Sequence, residues 1–322
     1  MSTIEKAAKR LAELRKAGAE LPEDAPSAME PIRSGSTPTP EALIRALEAQ
    51  TLHSPPVPPT RPQPKESTVR RSSVSRTAPR HVEIDLEQLA QRGFITPAAP
   101  HSQLADEFRV VKRPIIRNAL GRGGVKIKNG NLVMVTSALP SEGKTFTAIN
   151  LAMSVAMEFD NTVLLIDGDV AHPMLPTILN VPREPGLLDL LTRDDLDVGD
   201  ALVRTNVEKL TILPAGSRHK RATELLASEQ MVSLLQELAL RYSDRIIIFD
   251  SPPLLATTEA RVLAAHVGQI VIVVAADATT QHALTQALST IESCDIVLMM
   301  LNKARKTDVG SYYGYYAVDE PT

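Results

Sequence analysis

Residues 132–152 read LVMVTSALPSEGKTFTAINLA. An apolar run of strand length (132–137) gives way to a short break, and a helix-forming segment follows directly. Ser141, Glu142, Gly143, Lys144 and Thr145 occupy the end of that break. In such a strand–loop–helix unit, successive backbone N–H groups and the open helix N-terminus point at phosphate oxygens. A lysine at position 144 reaches the β/γ-phosphates, and the hydroxyl of Thr145 ligates Mg²⁺. The full phosphate-loop pattern begins with glycine, where this chain has Ala138. Gly143-Lys144-Thr145 alone would be a weak signal; the strand before it and the helix after it make it specific. ATP and Mg²⁺ are the expected ligands, with residues 141–146, Phe146 included, as the binding segment.

Further apolar runs alternate with helical patterns downstream: TVLLID (162–167), LTILPAG (210–216), RIIIFD (245–250), QIVIVVAA (269–276) and IVLMMLN (296–302). Several are apolar at every residue, as strands covered on both faces are. Strands alternating with helices predict an α/β fold with a doubly wound, mostly parallel sheet flanked by helices. Ligands of such sheets sit at the carboxyl ends of the strands. That rim is where the acids fall. Asp167 and Asp169 end one strand in VLLIDGDVAHP, and Asp250 ends another in IIIFDSPP. Carboxylates beside a phosphate site hold Mg²⁺ or take a proton from an incoming hydroxyl. Each aspartate alone could be a cap or loop residue; three on the rim that carries the phosphate loop point to chemistry.

The 322 residues suffice for one large domain with extensions, and 43% apolar content supports a core. Aromatics are 3% and tryptophan is absent, so that core is aliphatic. A single cysteine, Cys294, excludes an internal disulfide framework and fits a reducing, cytoplasmic setting. The first twenty residues are charged throughout and show no signal peptide, and no apolar run approaches the roughly 20 residues of a membrane-spanning helix. Residues 1–80 hold 13 Lys/Arg against 9 Asp/Glu while the whole chain is at −3, so the remainder is acidic. An acidic body argues against a general nucleic-acid binder.

Residues 1–16 contain a short amphipathic helix, either a frayed surface helix or a docking helix for a membrane protein. Residues 17–80 read as a disordered linker, since half of the 24 prolines lie there among Ser and Thr. Residues 81–130 form a helical lead-in: Asp85 caps one helix that stops at Gly93, and Ser102 caps a second that Pro114 should kink or split. Residues 131–302 are the nucleotide-binding domain, and 303–322 a tail holding Tyr312, Tyr313, Tyr315 and Tyr316, four of the five tyrosines. The seven histidines show no metal spacing. Cys294 reads as a packed thiol, and the basic loop Arg218–His219–Lys220–Arg221 either as solvated or as an anion or subunit contact.

Residues 102–316 resemble the cytoplasmic domain of bacterial tyrosine kinases, P-loop NTPases of MinD/ParA type. The phosphate loop, D-x-D at 167–169, D-S-P-P at 250–253 and the terminal tyrosine cluster occur in the family's order. ATELLAS, FDSPPLLATTEARVL and LNKAR are most similar to the soluble exosortase-associated tyrosine autokinases of exopolysaccharide clusters. The resemblance implies roles. Lys144 and Thr145 hold MgATP, Asp167 activates the tyrosine hydroxyl, Asp169 and Asp250 support metal and water, and Asn302 lies near the adenine. Tyr312, Tyr313, Tyr315 and Tyr316 are then phosphoacceptors. Asp106, Arg109 and Lys112 resemble the family's E-x-x-R-x-x-R subunit-contact motif, which implies a homo-oligomer, and a membrane chain-length-determinant protein is the implied partner. One departure stands out: Ala171 and His172 follow D-x-D where the family usually carries an arginine.

If the strand ending at Asn302 is parallel, the tail leaves on the nucleotide rim. About ten residues then separate Asn302 from Tyr312, a reach of at most roughly 33 Å. Two other functions fit the nucleotide site. A MinD/ParA-like positioning ATPase would carry a lysine where Leu139 stands and would have no use for the tyrosines. A non-catalytic ATP-binding regulator of polysaccharide chain length remains open at this level.

Overall fold

A computed structural model describes residues 80–122, 124, 127–242 and 244–305. The expected N-terminal helix, all but the last residue of the expected linker and the four tail tyrosines lie outside the described residues. In chain order the elements are β1 (Arg80–Val82), α1 (Leu86–Gln91), α2 (Gln103–Ala119), β2 (Leu132–Ser137), α3 (Lys144–Ala156), β3 (Thr162–Asp167), α4 (Leu175–Leu179), α5 (Leu187–Leu190), α6 (Val198–Ala201), β4 (Val203–Thr205), β5 (Leu210–Leu213), α7 (Ala222–Leu226), α8 (Glu229–Arg241), β6 (Arg245–Asp250), α9 (Glu259–Ala264), β7 (Gln269–Ala275), α10 (Gln281–Leu288) and β8 (Val297–Asn302).

The strands form one sheet in the order β1-β4-β5-β3-β6-β2-β7-β8. Every neighbouring pair is parallel except β4 with β5. The fold class is the doubly wound, mostly parallel sheet expected. Its central strands are buried on both faces because alternate side chains enter different cores. Leu132, Met134, Leu164, Ile166, Ile247 and Phe249 join one core, which α8, α9 and α10 cover. Val133, Val135, Val163, Leu165, Ile246 and Ile248 join the other, under α2 and α3. The period-two alternation is real but invisible in hydropathy, since both sets are apolar.

β2 lies between β6 and β7, with β3 beyond β6. The chain therefore leaves β2 toward one half of the sheet and later crosses to build the other. The carboxyl end of β2 is the point where strand order reverses, the crevice in which such sheets bind ligands.

Three expectations need correction. Residues 80–82 form a strand, parallel to β4, and belong neither to the linker nor to a helical lead-in. The short strand β4 was equally unforeseen. And α2 is one helix from Gln103 to Ala119 with Pro114 inside it. The hydrogen bond that Pro114 cannot donate would have gone to the carbonyl of Val110, a residue 52% exposed, where water can serve instead. Both helix caps are as expected: Asp85 accepts from the N–H of Gln88 and Ser102 from that of Ala105.

Candidate active site

The loop between β2 and α3 is held open from inside. Ser141 and Gly143 both take left-handed backbone angles, φ 65° and 100°. α3 starts at Lys144 with no side chain capping its first N–H groups, so they remain available to an anion. Glu142 does not face a ligand. Its side chain is buried, with one oxygen accepting from the N–H of Leu139 at 2.8 Å and the other from the hydroxyl of Thr279. Glu142 was expected in the binding segment through its backbone; its carboxylate shapes the loop. Gly143 is required sterically as well: a Cβ there would lie 2.1 Å from Nδ2 of Asn302.

Asn302 ends β8 and β8 is parallel to β7, so the chain does leave on the phosphate-loop rim. The contact is direct. Asn302 Nδ2 donates to the carbonyl of Glu142 at 2.9 Å, and Lys303 Nζ donates to that of Ser141 at 2.7 Å. Phe146, one turn into α3, stacks at a tilt on Phe94 with ring centroids 5.0 Å apart.

The three aspartates converge on this rim. Asp167 and Asp250 are register partners on adjacent strands β3 and β6, and both are fully buried. Asp169 lies two residues past β3, and its Oδ2 is 2.7 Å from Lys144 Nζ. Its Oδ1 accepts from the N–H of His172 at 3.2 Å. Asp167 accepts one bond through Oδ2, from the N–H of Leu175, and its Oδ1 has no donor. Neither oxygen of Asp250 has one. Burial raises the Asp250 carboxyl to about 6; the charge of Lys144 and the nearby Thr145 hydroxyl, short of hydrogen-bond geometry, hold it from going further. Asp167 is raised well above the ordinary carboxylate range, first by burial and then by the charge of Asp250.

Buried carboxylate oxygens without donors are rare and costly, and a cation is the partner that satisfies them. Among the described residues no three His, Cys, Asp or Glu side chains converge to hold a metal ion by themselves. That suits Mg²⁺, which takes one or two carboxylates and completes its shell with phosphates and water. The residues present therefore fit a Mg²⁺ ion that arrives with a nucleotide.

The D-S-P-P segment is stitched to β2. Ser251 donates through N–H and hydroxyl to the carbonyl of Val135, and Thr136 donates to that of Pro252 at 2.8 Å. Sequence reasoning missed Thr136, Thr279 and Lys303, since single polar residues carry no spacing signal, and it gave Ser251 no role beyond its place in D-S-P-P. Ala171 and His172, at the departure from the family pattern, are exposed.

The expected subunit-contact residues separate. Asp106 and Arg109 pair with each other on the exposed side of α2. Lys112 does not join them. It is buried, 4% exposed, with Nζ 2.7 Å from the carbonyl of Ser154 and 2.6 Å from Glu158. Its ammonium caps the C-terminal turn of α3, where the helix dipole favours a cation, so it is an internal residue and not a surface contact.

Comparisons with known proteins agree with this geometry. The model of the AAA domain family matches residues 141–302. Tyrosine-protein kinase YwqD of Bacillus subtilis is 30% identical over 231 residues, covering 71% of this chain and 93% of YwqD. Tyrosine-protein kinase Wzc of Salmonella typhimurium is 30% identical over 189 residues, 58% of this chain but 26% of Wzc. The solved kinase domain of VpsO is 28% identical with a TM-score of 0.52, and the match covers 63% of this chain and 100% of that domain.

Proposed function

This chain belongs to the bacterial tyrosine-protein kinases, and from that premise we propose that it transfers the γ-phosphoryl group of ATP to its own Tyr312, Tyr313, Tyr315 and Tyr316. The observation that carries the reading is the pair of hydrogen bonds from Asn302 and Lys303 to the backbone of residues 141–142. The tail is rooted on the phosphate loop itself.

The N–H groups at the start of α3 bind the phosphates, and Lys144 exchanges Asp169 for phosphate oxygens. Mg²⁺, held by Thr145, Asp167 and Asp250, would neutralise charge on the β- and γ-phosphates. Asp167 is also the proposed acceptor of the phenolic proton, and burial raises its carboxyl above the ordinary range, which makes it a stronger base than a free aspartate. As the phenolic oxygen bonds to the γ-phosphorus, the bond from that phosphorus to the bridging oxygen breaks and ADP leaves. Asp169 steadies Lys144 before the nucleotide arrives, and Asn302 holds the loop edge beside the expected adenine position.

The resemblance of ATELLAS (222–228), FDSPPLLATTEARVL (249–263) and LNKAR (301–305) to exosortase-associated autokinases supports a role in exopolysaccharide synthesis or export. The partner would be a membrane chain-length-determinant protein, with this chain acting as a homo-oligomer on the cytoplasmic face. Asp106 and Arg109 are the α2 residues offered to a neighbouring subunit. Among the described residues, no helix is long and apolar enough to cross a membrane.

The test is to incubate the purified chain with MgATP and map phosphate by mass spectrometry. Label on Tyr312–Tyr316, lost in Lys144→Ala and Asp167→Asn, is the expected result. ATP turnover with an unlabelled tail would overturn it.

A further inference from the structure

An apolar groove of about 910 Å³ runs between α2 and β8, from the nucleotide rim, where Ser102, Phe146 and Asn302 line it, toward Pro114, Ile115 and Leu298. Val110 and Val111 of α2 and Met299 and Leu301 of β8 line it. Met299 is 63% exposed and Leu301 61%, high values for large apolar side chains on a strand. β8 is also the edge of the sheet, with β7 on one side and no strand on the other among the described residues. An apolar edge strand is a template for one more strand.

The chain itself turns toward this groove. Lys303 adopts a left-handed φ of 59° directly after β8. Ala304 and Arg305, the last described residues, already line the groove. Residues 306–322 follow, and seven positions reach Tyr312, at most roughly 23 Å of extended chain. β8 is six residues long, about 20 Å, so the span matches. In an extended segment Tyr312 and Tyr316 share one face and Tyr313 and Tyr315 the other, with Gly314 between them. A tyrosine ring fits an apolar wall while its hydroxyl stays wet.

We infer that this groove is the resting berth of the chain's own residues 306–322, laid along β8 in the same molecule with the tyrosines against α2 and β8. The berth begins at Phe146, on the nucleotide rim, and runs down β8 away from it, so the docked tyrosines wait about 20 Å from the nucleotide until they are released. A further consequence rests on the proposed function: a phosphate adds about −1.5 to −2 of charge to each modified ring and would expel it from an apolar groove.

Hydrogen exchange of the phosphatase-treated full chain, without nucleotide, tests the berth. The comparison is among wild type, a variant with Tyr312, Tyr313, Tyr315 and Tyr316 all changed to Ser, and Met299→Lys/Leu301→Lys. The last two positions are exposed, so the fold should tolerate them. The expected result is β8 exchange about tenfold slower in wild type than in either variant, independent of protein concentration. Equal rates in all three would overturn the inference. So would protection that survives the tyrosine substitutions, which would assign the groove to another segment, and protection lost on dilution, which would assign it to a second copy. None of these readings involves phosphate transfer. A tail that docks yet takes no phosphate would sink the kinase assignment of the tail alone; a tail that is labelled yet leaves β8 unprotected would sink the berth alone.

Discussion

Asp250 carries two buried oxygens that no group among the described residues satisfies, and its stability cost has a definite sign. A carboxyl raised to about 6 binds more protons in the folded than in the unfolded state between pH 4 and 6. Its contribution is therefore most favourable below the ordinary carboxylate pKa and is lost as pH rises through 6. Asp167 acts in the same direction. Calorimetry of nucleotide-free Asp250→Asn should accordingly show a melting point about 2–6 °C above wild type at pH 7.5, with the gap closing near pH 5. The same variant should bind MgATP at least about tenfold more weakly, and the affinity of wild-type nucleotide-free protein for MgATP should fall as pH drops through 6, where the free carboxylate is neutralised. A second prediction concerns Thr279, whose hydroxyl holds Glu142. Thr279→Val should weaken ATP binding about fivefold, the effect of one hydrogen bond, measurable by titration calorimetry. The aspartates were legible in sequence because each sits at or just past the end of an apolar run, and Lys144 because Gly143-Lys144-Thr145 falls between a strand pattern and a helix pattern. The Glu142–Thr279 contact was not, because its two residues lie 137 positions apart and only the parallel crossover brings them together.

α2 connects its surface to the nucleotide helix by one buried cation. Lys112 spans from α2 to the last turn of α3, while Asp106 and Arg109 stay outside. The motif seen as one unit in sequence thus divides between two tasks. Lys112→Met should lower stability by about 1–3 kcal/mol through the unpaired Ser154 carbonyl, read in denaturant unfolding, and leave assembly size unchanged. Arg109→Glu should do the reverse, altering sedimentation with little change in unfolding midpoint. Helix α2 was readable from its Ser102 cap. Its continuity through Pro114 was not, since that depends on water reaching the carbonyl of Val110. β1 and β4 are three residues each, too short for any period to show.

At the scale of the molecule, the sheet was legible because its central strands are apolar on both faces and alternate with helices. The order of strands and the reversed direction of β4 were not, because hydropathy carries no information about which strand lies beside which. Deleting residues 306–322 should leave ATP affinity within about twofold and abolish self-labelling, checked by titration and mass spectrometry on the shortened chain. The hydrogen bonds of Asn302 and Lys303 to residues 141–142 have a mechanical meaning too. They knot the root of the C-terminal tail to the cradle as well as to the edge strand, so a tug on that terminus reaches both together. A tail under tension would therefore strain the nucleotide seat along with the edge strand that it leaves.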